Sequence, residues 1–412
     1  DLRRVLGRET GRFGLIVVPG TAPVTLLQAR LATAEFFRLC ASRLAPDGVL
    51  VAGIRTAPNA LVDETAAMAG SIFAAAREAL PVVRATPGPD TLLVAGWDPQ
   101  AATLDPDLLA ERWRGRGITS PSFGGAILPT LLPPRRVAAT EAALLDASST
   151  AVVSRDDRPA SFLHALARRQ RTTAAGDAGW LAPLSRAPAA ALAGLVLLPS
   201  LLVLAWTWSR PLSLELRASA AASHAVATAG AAGMGLYLLV LLSFQARVGL
   251  LYGALGVLSA TFMLGLALGA TLAQRSVEGV ETPPIVPLRV ALALALAYAV
   301  TLPWTLRAAS QASEPGLVAG VLAHGALLLA GGVVTGAVFP VSSAVWLRAG
   351  DDAASAAGRL ETADHVGAAV AALVASVLLL PRLGFAKTAW LAGALLALGL
   401  VGTLLGGDRR EG

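Results

Sequence analysis

The chain is read first from where its apolar positions fall. Up to about residue 186, short apolar runs alternate with polar-faced helical stretches; beyond it nearly every long segment is apolar. Residues 187–208 carry no charge, and a helix of that length crosses ~30 Å of hydrocarbon at ~1.5 Å per residue. This stretch joins a water-exposed part to a membrane part.

In the first part, the β-branched run 13–18 between Gly11 and Pro19 predicts a buried strand. Phe36, Phe37, Cys40 and Leu44 have helical spacing and predict a helix over 33–44. Pro46-Asp47-Gly48 predicts a turn, and 49–52 a second strand. An Ala-rich amphipathic helix is expected over 63–80, then strands over 82–85 and 91–95 joined by Pro87-Gly88-Pro89. Strands alternating with helices imply a parallel α/β sheet with a final hairpin. A doubly wound sheet needs more strands, so its first half is expected to be missing. Since the first residue is Asp1, the chain is expected to be truncated or processed at its start.

After 187–208 the apolar pattern predicts further spans at 226–245, 249–273, 288–306, 316–339, 358–380 and 384–405, seven in all. The stretch 316–347 is overlong and is expected to bend or end at Pro340. Gly265 with Gly269, and Gly332 with Gly336, have the spacing that lets helix backbones approach in lipid. The expected organisation is a soluble domain over 1–170, a linker over 171–186 and a transmembrane domain of about seven helices over 187–408.

Composition agrees. Of 412 residues 55% are hydrophobic and 15% charged, which places the chain among membrane proteins. The net charge of +6 comes almost wholly from arginine, Lys387 being the single lysine. No segment interleaves arginines with aromatics as a nucleic-acid groove does, so no nucleic-acid partner is expected. One cysteine, Cys40, excludes an intrachain disulfide and any multi-cysteine metal site. Arg168, Arg169, Arg171 and Arg186 favour a cytoplasmic soluble domain on a multi-pass protein of a bacterial-type inner (plasma) membrane.

Among polar residues of the membrane part, Glu361, Asp364 and His365 share one helix face by their i, i+3, i+4 spacing. Acids within a span mark an ion or substrate path; in a helix's first turns they mark the interface, where the helix dipole favours them. Counted from a helix start at Gly358, the interfacial reading is the simpler. His224 and His324 stand at expected span beginnings and read as interfacial. Asp156-Asp157-Arg158, ahead of Pro159, reads as a structural turn rather than an acidic active-site pair.

The runs at Asp1 (DLRRVL), Phe13 (FGLIVVP), Thr25 (TLLQARLATAEFF), Arg43 (RLAPDGVL) and Val153 (VSRDDRPASFLHAL) resemble the C-terminal half of a spermidine synthase-type domain. That domain is the polyamine aminopropyltransferase form of the class I methyltransferase fold. The runs at Gly249 (GLLYGALG), Phe262 (FMLGLALG) and Gly358 (GRLETADHVGAA), with Phe339-Pro340, are similar to the multispan domain of membrane-fused spermidine synthase-like proteins. The resemblance implies an α/β partial methyltransferase-like domain followed by an all-α multispan bundle. It also implies decarboxylated S-adenosylmethionine as cosubstrate, with none bound tightly, and a diamine acceptor.

In that family an Asp-x-x-Asp-Pro loop supplies the acids that bind the diamine and help deprotonate its attacking nitrogen. Here the loop reads Pro19-Gly20-Thr21-Ala22-Pro23, so Pro19 and Ala22 replace the acids, and Ala32 stands where a tyrosine is expected. Asp1 matches the acid that receives the adenine amino group. No catalytic residue and no metal ligand is therefore assigned. The implied function is a membrane spermidine synthase-like protein with a degenerate active site. The alternatives are a transporter or scaffold whose soluble domain senses a nucleoside or polyamine, and a methyltransferase-like enzyme of unknown acceptor. The lipid bilayer is the remaining expected partner.

Overall fold

The computed structural model describes residues 2–20, 22–56, 61, 63–173, 179–249, 252–279, 284–312 and 316–407. The chain forms two compact units that meet in sequence at Arg186 and Ala187.

The first unit opens with helix α1 (Leu2–Arg8) and strand β1 (Phe13–Val18). Helix α2 (Ala34–Arg43) is capped by the Thr33 hydroxyl, which accepts from the Phe36 amide and so satisfies a donor the helix cannot. Strand β2 (Leu44–Arg55) follows at once, parallel to β1. Pro46-Asp47-Gly48, expected as a turn ahead of this strand, bulges from within it: pairing steps from Phe13–Leu44 to Leu15–Val49. A side chain at Gly48 would stand 2.7 Å from the Phe13 carbonyl oxygen, so the bulge requires glycine.

Helix α3 (Asp63–Arg77) leads to strands β3 (Val82–Ala85) and β4 (Asp90–Gly96), the expected final hairpin. β4 folds back between β2 and β3 and runs antiparallel to both, giving the order β1-β2-β4-β3. The sheet is therefore mixed, parallel at only one pair, because the tight turn at Gly88 leaves no room for a crossover. Helices α4 (Pro134–Thr150) and α5 (Ala160–Thr173) pack on α3. Phe36, Phe37, Leu50, Ile54, Met68, Phe73, Leu93 and Leu144 form the core beneath the sheet. β1 is an edge strand with Leu15 and Val17 exposed.

The stretch expected as a linker contributes to this unit. Residues Leu181–Arg186 are helical, and the buried Glu64 carboxylate accepts from Arg171 at 2.8 Å and from Arg186 at 3.0 Å.

The second unit is all helix. Six stretches among the described residues are long and apolar enough to cross a membrane, which makes this a multi-pass membrane protein. They comprise α6 (Ala189–Ser209), α7 (Leu214–Arg247), α8 (Tyr252–Val277), α9 (Ile285–Ala312), α10 (Leu317–Gly336) with α11 (Val338–Arg348), and α12 (Ala353–Val374) continuing into α13 (Leu380–Gly407). The α10–α11 break falls at Ala337, so Pro340 lies in the first turn of α11, where its missing N–H costs nothing.

The last stretch, 54 residues from Ala353 to Gly406, is too long for one crossing. At Gly384 its backbone leaves the helix (φ 82°, ψ 174°). A side chain at Gly367 of α12 would collide with Ala227, and one at Gly399 of α13 with the Thr228 hydroxyl. Two positions 32 residues apart thus meet the same turn of α7, although on a straight helix they would be about 48 Å apart. The chain folds back at Gly384, so the six apolar stretches among the described residues make seven helical passes.

The two glycine pairs pack against each other. Side chains at Gly265 and Gly269 would strike the Leu329 and Val333 backbone; those at Gly332 and Gly336 would strike Phe262 and Leu266. α8 and α10 therefore touch backbone to backbone, the use predicted from their spacing.

Candidate functional site

Asp352 caps α12, its carboxylate accepting from the Ala354 and Ser355 amides at 3.0 Å each. The helix begins at Ala353, five residues earlier than its apolar run suggests, because Asp352 rather than Gly358 ends the preceding turn. Asp364 therefore lies about three turns inside the helix. Its carboxylate lies against Gly230, which is central in α7. Both helices put it at mid-height of the bundle and not in a first turn.

Gly230 makes this possible: a side chain there would stand 2.8 Å from the Asp364 carbonyl oxygen. Beside it opens a cavity of about 490 Å³ lined by Asp364 and His365, with Thr335, Phe262, Met234, Met263, Leu266 and Phe339 among its other walls. Arg359, the nearest cation in sequence, turns away, pairing with Asp351 at 3.1 Å and stacking 4.8 Å from the Trp346 ring centre. Among the described residues no hydrogen bond or ion pair reaches the Asp364 carboxylate. The His365 ring is exposed, and its Nδ1 donates to the Glu361 carbonyl at 2.8 Å, which leaves Nε2 available. Glu361 is exposed on the same face. The pass then loosens into a π-helical turn, Ala375–Leu379.

An acid at hydrocarbon depth is costly without a countercharge. The cavity supplies one acid, one imidazole, a hydroxyl and several polarisable or aromatic walls, the surroundings an organic cation favours.

The described residues of the β1 loop carry no such equipment. Pro19 follows the strand as an exposed ring, and the Ala22 carbonyl only closes a turn with Val24 at 2.8 Å. Gly20 presses on Gly53 of β2, where a side chain would stand 2.8 Å from the Gly53 Cα. Ala32 is buried in the core. Asp1 and Thr21 lie outside the described residues.

Asp156 and Asp157 form the expected turn, with Arg155 and Arg158 exchanging backbone hydrogen bonds at 3.0 Å. Asp156 is buried, and Arg3 grips both its oxygens at 2.6 and 2.7 Å. The Thr33 hydroxyl donates to Asp156 at 2.7 Å, and Arg3 also donates to the Arg30 carbonyl. Burial, with the Arg3 cation beside it, pushes the Arg30 guanidinium down to about 10. The Arg3–Asp156 contact spans 153 residues and has no local sequence signal.

His224 and His324 are both buried within the bundle: the helix of His224 starts at Leu214, well before the apolar run expected from 226, while His324 stands about two turns inside a helix that starts at Leu317, close to the expected 316. His224 Nε2 meets the Ser200 hydroxyl at 2.7 Å, and His324 Nδ1 donates to the Gly320 carbonyl at 3.0 Å. Among the described residues no cluster of three or more His, Cys, Asp or Glu could hold a metal ion.

No known protein family and no curated protein matches the chain.

Proposed function

We propose that this is a multi-pass membrane protein that binds an organic cation at Asp364, its sheet unit being a spermidine synthase-type domain that has lost the aminopropyl transfer chemistry. One observation carries the reading: a carboxylate at bundle mid-height lines a largely apolar cavity and has no cation of its own among the described residues. A ligand with an ammonium head and a short apolar body satisfies both features. The resemblance to spermidine synthase-like membrane proteins makes polyamines and related amines the first candidates. The sheet supports the same descent, with a parallel crossover followed by an antiparallel hairpin whose last strand lies beside β2.

Binding of putrescine and spermidine to the purified protein in lipid nanodiscs tests the cavity. Asp364→Asn keeps the shape and removes the charge, and should weaken binding at least tenfold, since a charge-assisted hydrogen bond is worth about 1.5–3 kcal/mol. Equal binding by the two proteins, or none by the unmodified one, overturns the assignment.

The lost chemistry has its own test. Neither Pro19 nor Ala22 can take a proton, so the protein given decarboxylated S-adenosylmethionine and putrescine should form negligible spermidine. Robust turnover would place the acids elsewhere.

A further inference from the structure

A second cavity, of about 220 Å³, lies at the end of the bundle where α6 finishes, α7 begins and α13 finishes. Arg217, in the first turn of α7, is the one charged side chain among the described residues of its walls. His224, two turns further along, also lines it; the residue is 6% exposed, and its Nδ1 has no hydrogen-bond partner among the described residues. The other ring nitrogen is held by Ser200, which fixes the imidazole in place.

Gly402 and Gly406 of α13 keep the hollow open. A side chain at Gly402 would stand 3.1 Å from His224 Nδ1, filling the space before that atom. Arg217 is only lightly occupied: Nη2 reaches the Arg210 carbonyl at 3.5 Å, and the buried Nε has no partner among the described residues. A cation with donors unused and an imidazole held by Ser200 thus converge on one small space.

The rim is apolar and exposed. Trp208, Leu404 and Leu405 flank the opening, and Leu201 and Leu202 continue along the outer side of α6. Arg210, outside the cavity, stacks on Trp206 with its guanidinium 4.7 Å from the ring centre, an arrangement suited to a membrane interface.

We infer that this cavity binds the phosphate group of an anionic phospholipid, with Arg217 as its charged partner and the lipid chains lying along α6. A guanidinium offers a planar fork of donors to phosphate oxygens. The position at a bundle end sets the phosphate at headgroup depth, and the exposed leucines supply a surface for the chains. The same chemistry would accept free phosphate, and the two sources are separable.

Native mass spectrometry of the detergent-purified protein, with phosphatidylglycerol or phosphatidylcholine added, tests the site. Phosphatidylglycerol should be retained about tenfold more tightly, because phosphatidylcholine brings its own cation to the phosphate and that cation is repelled by Arg217. Arg217→Gln should remove that preference, Arg217→Lys should keep part of it, and Arg210→Gln should leave it unchanged. Equal retention of the two lipids by the unmodified protein overturns the proposal, whether or not the variants fold. A loss in Arg210→Gln as large as in Arg217→Gln also overturns it, because the effect would then be diffuse surface charge. Displacement of phosphatidylglycerol by inorganic phosphate would identify the free anion as ligand; its failure to displace identifies the lipid.

Discussion

At the scale of single residues, the polar groups divide by whether a partner is built in. Arg3 and Asp156 complete one another, as do Glu64 and its two arginines, and such groups hold structure. Asp364 has, among the described residues, a cavity in place of a partner, which gives it capacity for something mobile. Cys40 belongs to the first kind through packing alone. It is fully buried beneath the sheet, and burial pushes its thiol from an ordinary 9.0 to about 12. Between those values the unfolded chain releases the thiol proton and the folded one keeps it, so stability falls as pH rises through this window. The contribution is about 1.4 kcal/mol per pH unit. Cys40→Ala should flatten the alkaline limb of a denaturation profile taken from pH 9 upward. An unchanged slope would mean that the thiol opens to water before the unit unfolds.

At the scale of elements, the helices are explained by what their glycines permit. α8 and α10 touch along two glycine pairs, and adding even a small side chain there pushes backbone from backbone. Gly332→Val should lower stability by about 1–3 kcal/mol, the usual cost of overpacking, read as a lower melting temperature in detergent. Gly256→Val, on α8 with nothing near its missing side chain, serves as the control and should change little. Equal effects would show that helix propensity and not contact governs both positions. These pairs were legible in the sequence because spacing within one helix is local information. The strands at Phe13–Val18 and Val82–Ala85 were legible for the same reason, each being a β-branched run between breakers. The insertion of β4 between β2 and β3 was not, since strand order depends on pairing between distant segments. Helix starts were also missed. α7 and α12 begin with polar turns at Ser213 and Asp352 that an apolar window discards, and that hid the true depth of His224 and Asp364.

At the scale of the whole molecule, six apolar stretches should hold the full chain in the membrane through an alkaline carbonate wash. Recovery of intact chain in the supernatant would contradict the multi-pass reading. Sequence pattern found every one of these stretches. It also divided the last of them between 380 and 384, where the chain leaves the helix at Gly384; what it could not find was that both arms meet one turn of α7, or that a cavity opens beside Asp364, because both arise from contacts between helices far apart in the chain.

The burial of α7 has a consequence for synthesis. Its inward side carries Ser219, His224 and Thr228, and it packs against α10, α11, α12 and α13, all made after it. When α7 leaves the ribosome, α6 with Ser200 is the one of its described helical neighbours already made. At about 5–20 residues per second, α12 and α13 arrive on the order of ten seconds later. Until then a helix shaped for the centre of a bundle must stand in lipid or be shielded by the insertion machinery, with its glycine face open. The most enclosed helix of the mature protein is thus the most vulnerable segment of the nascent one, and a chain that stops short of Ala353 leaves it uncovered.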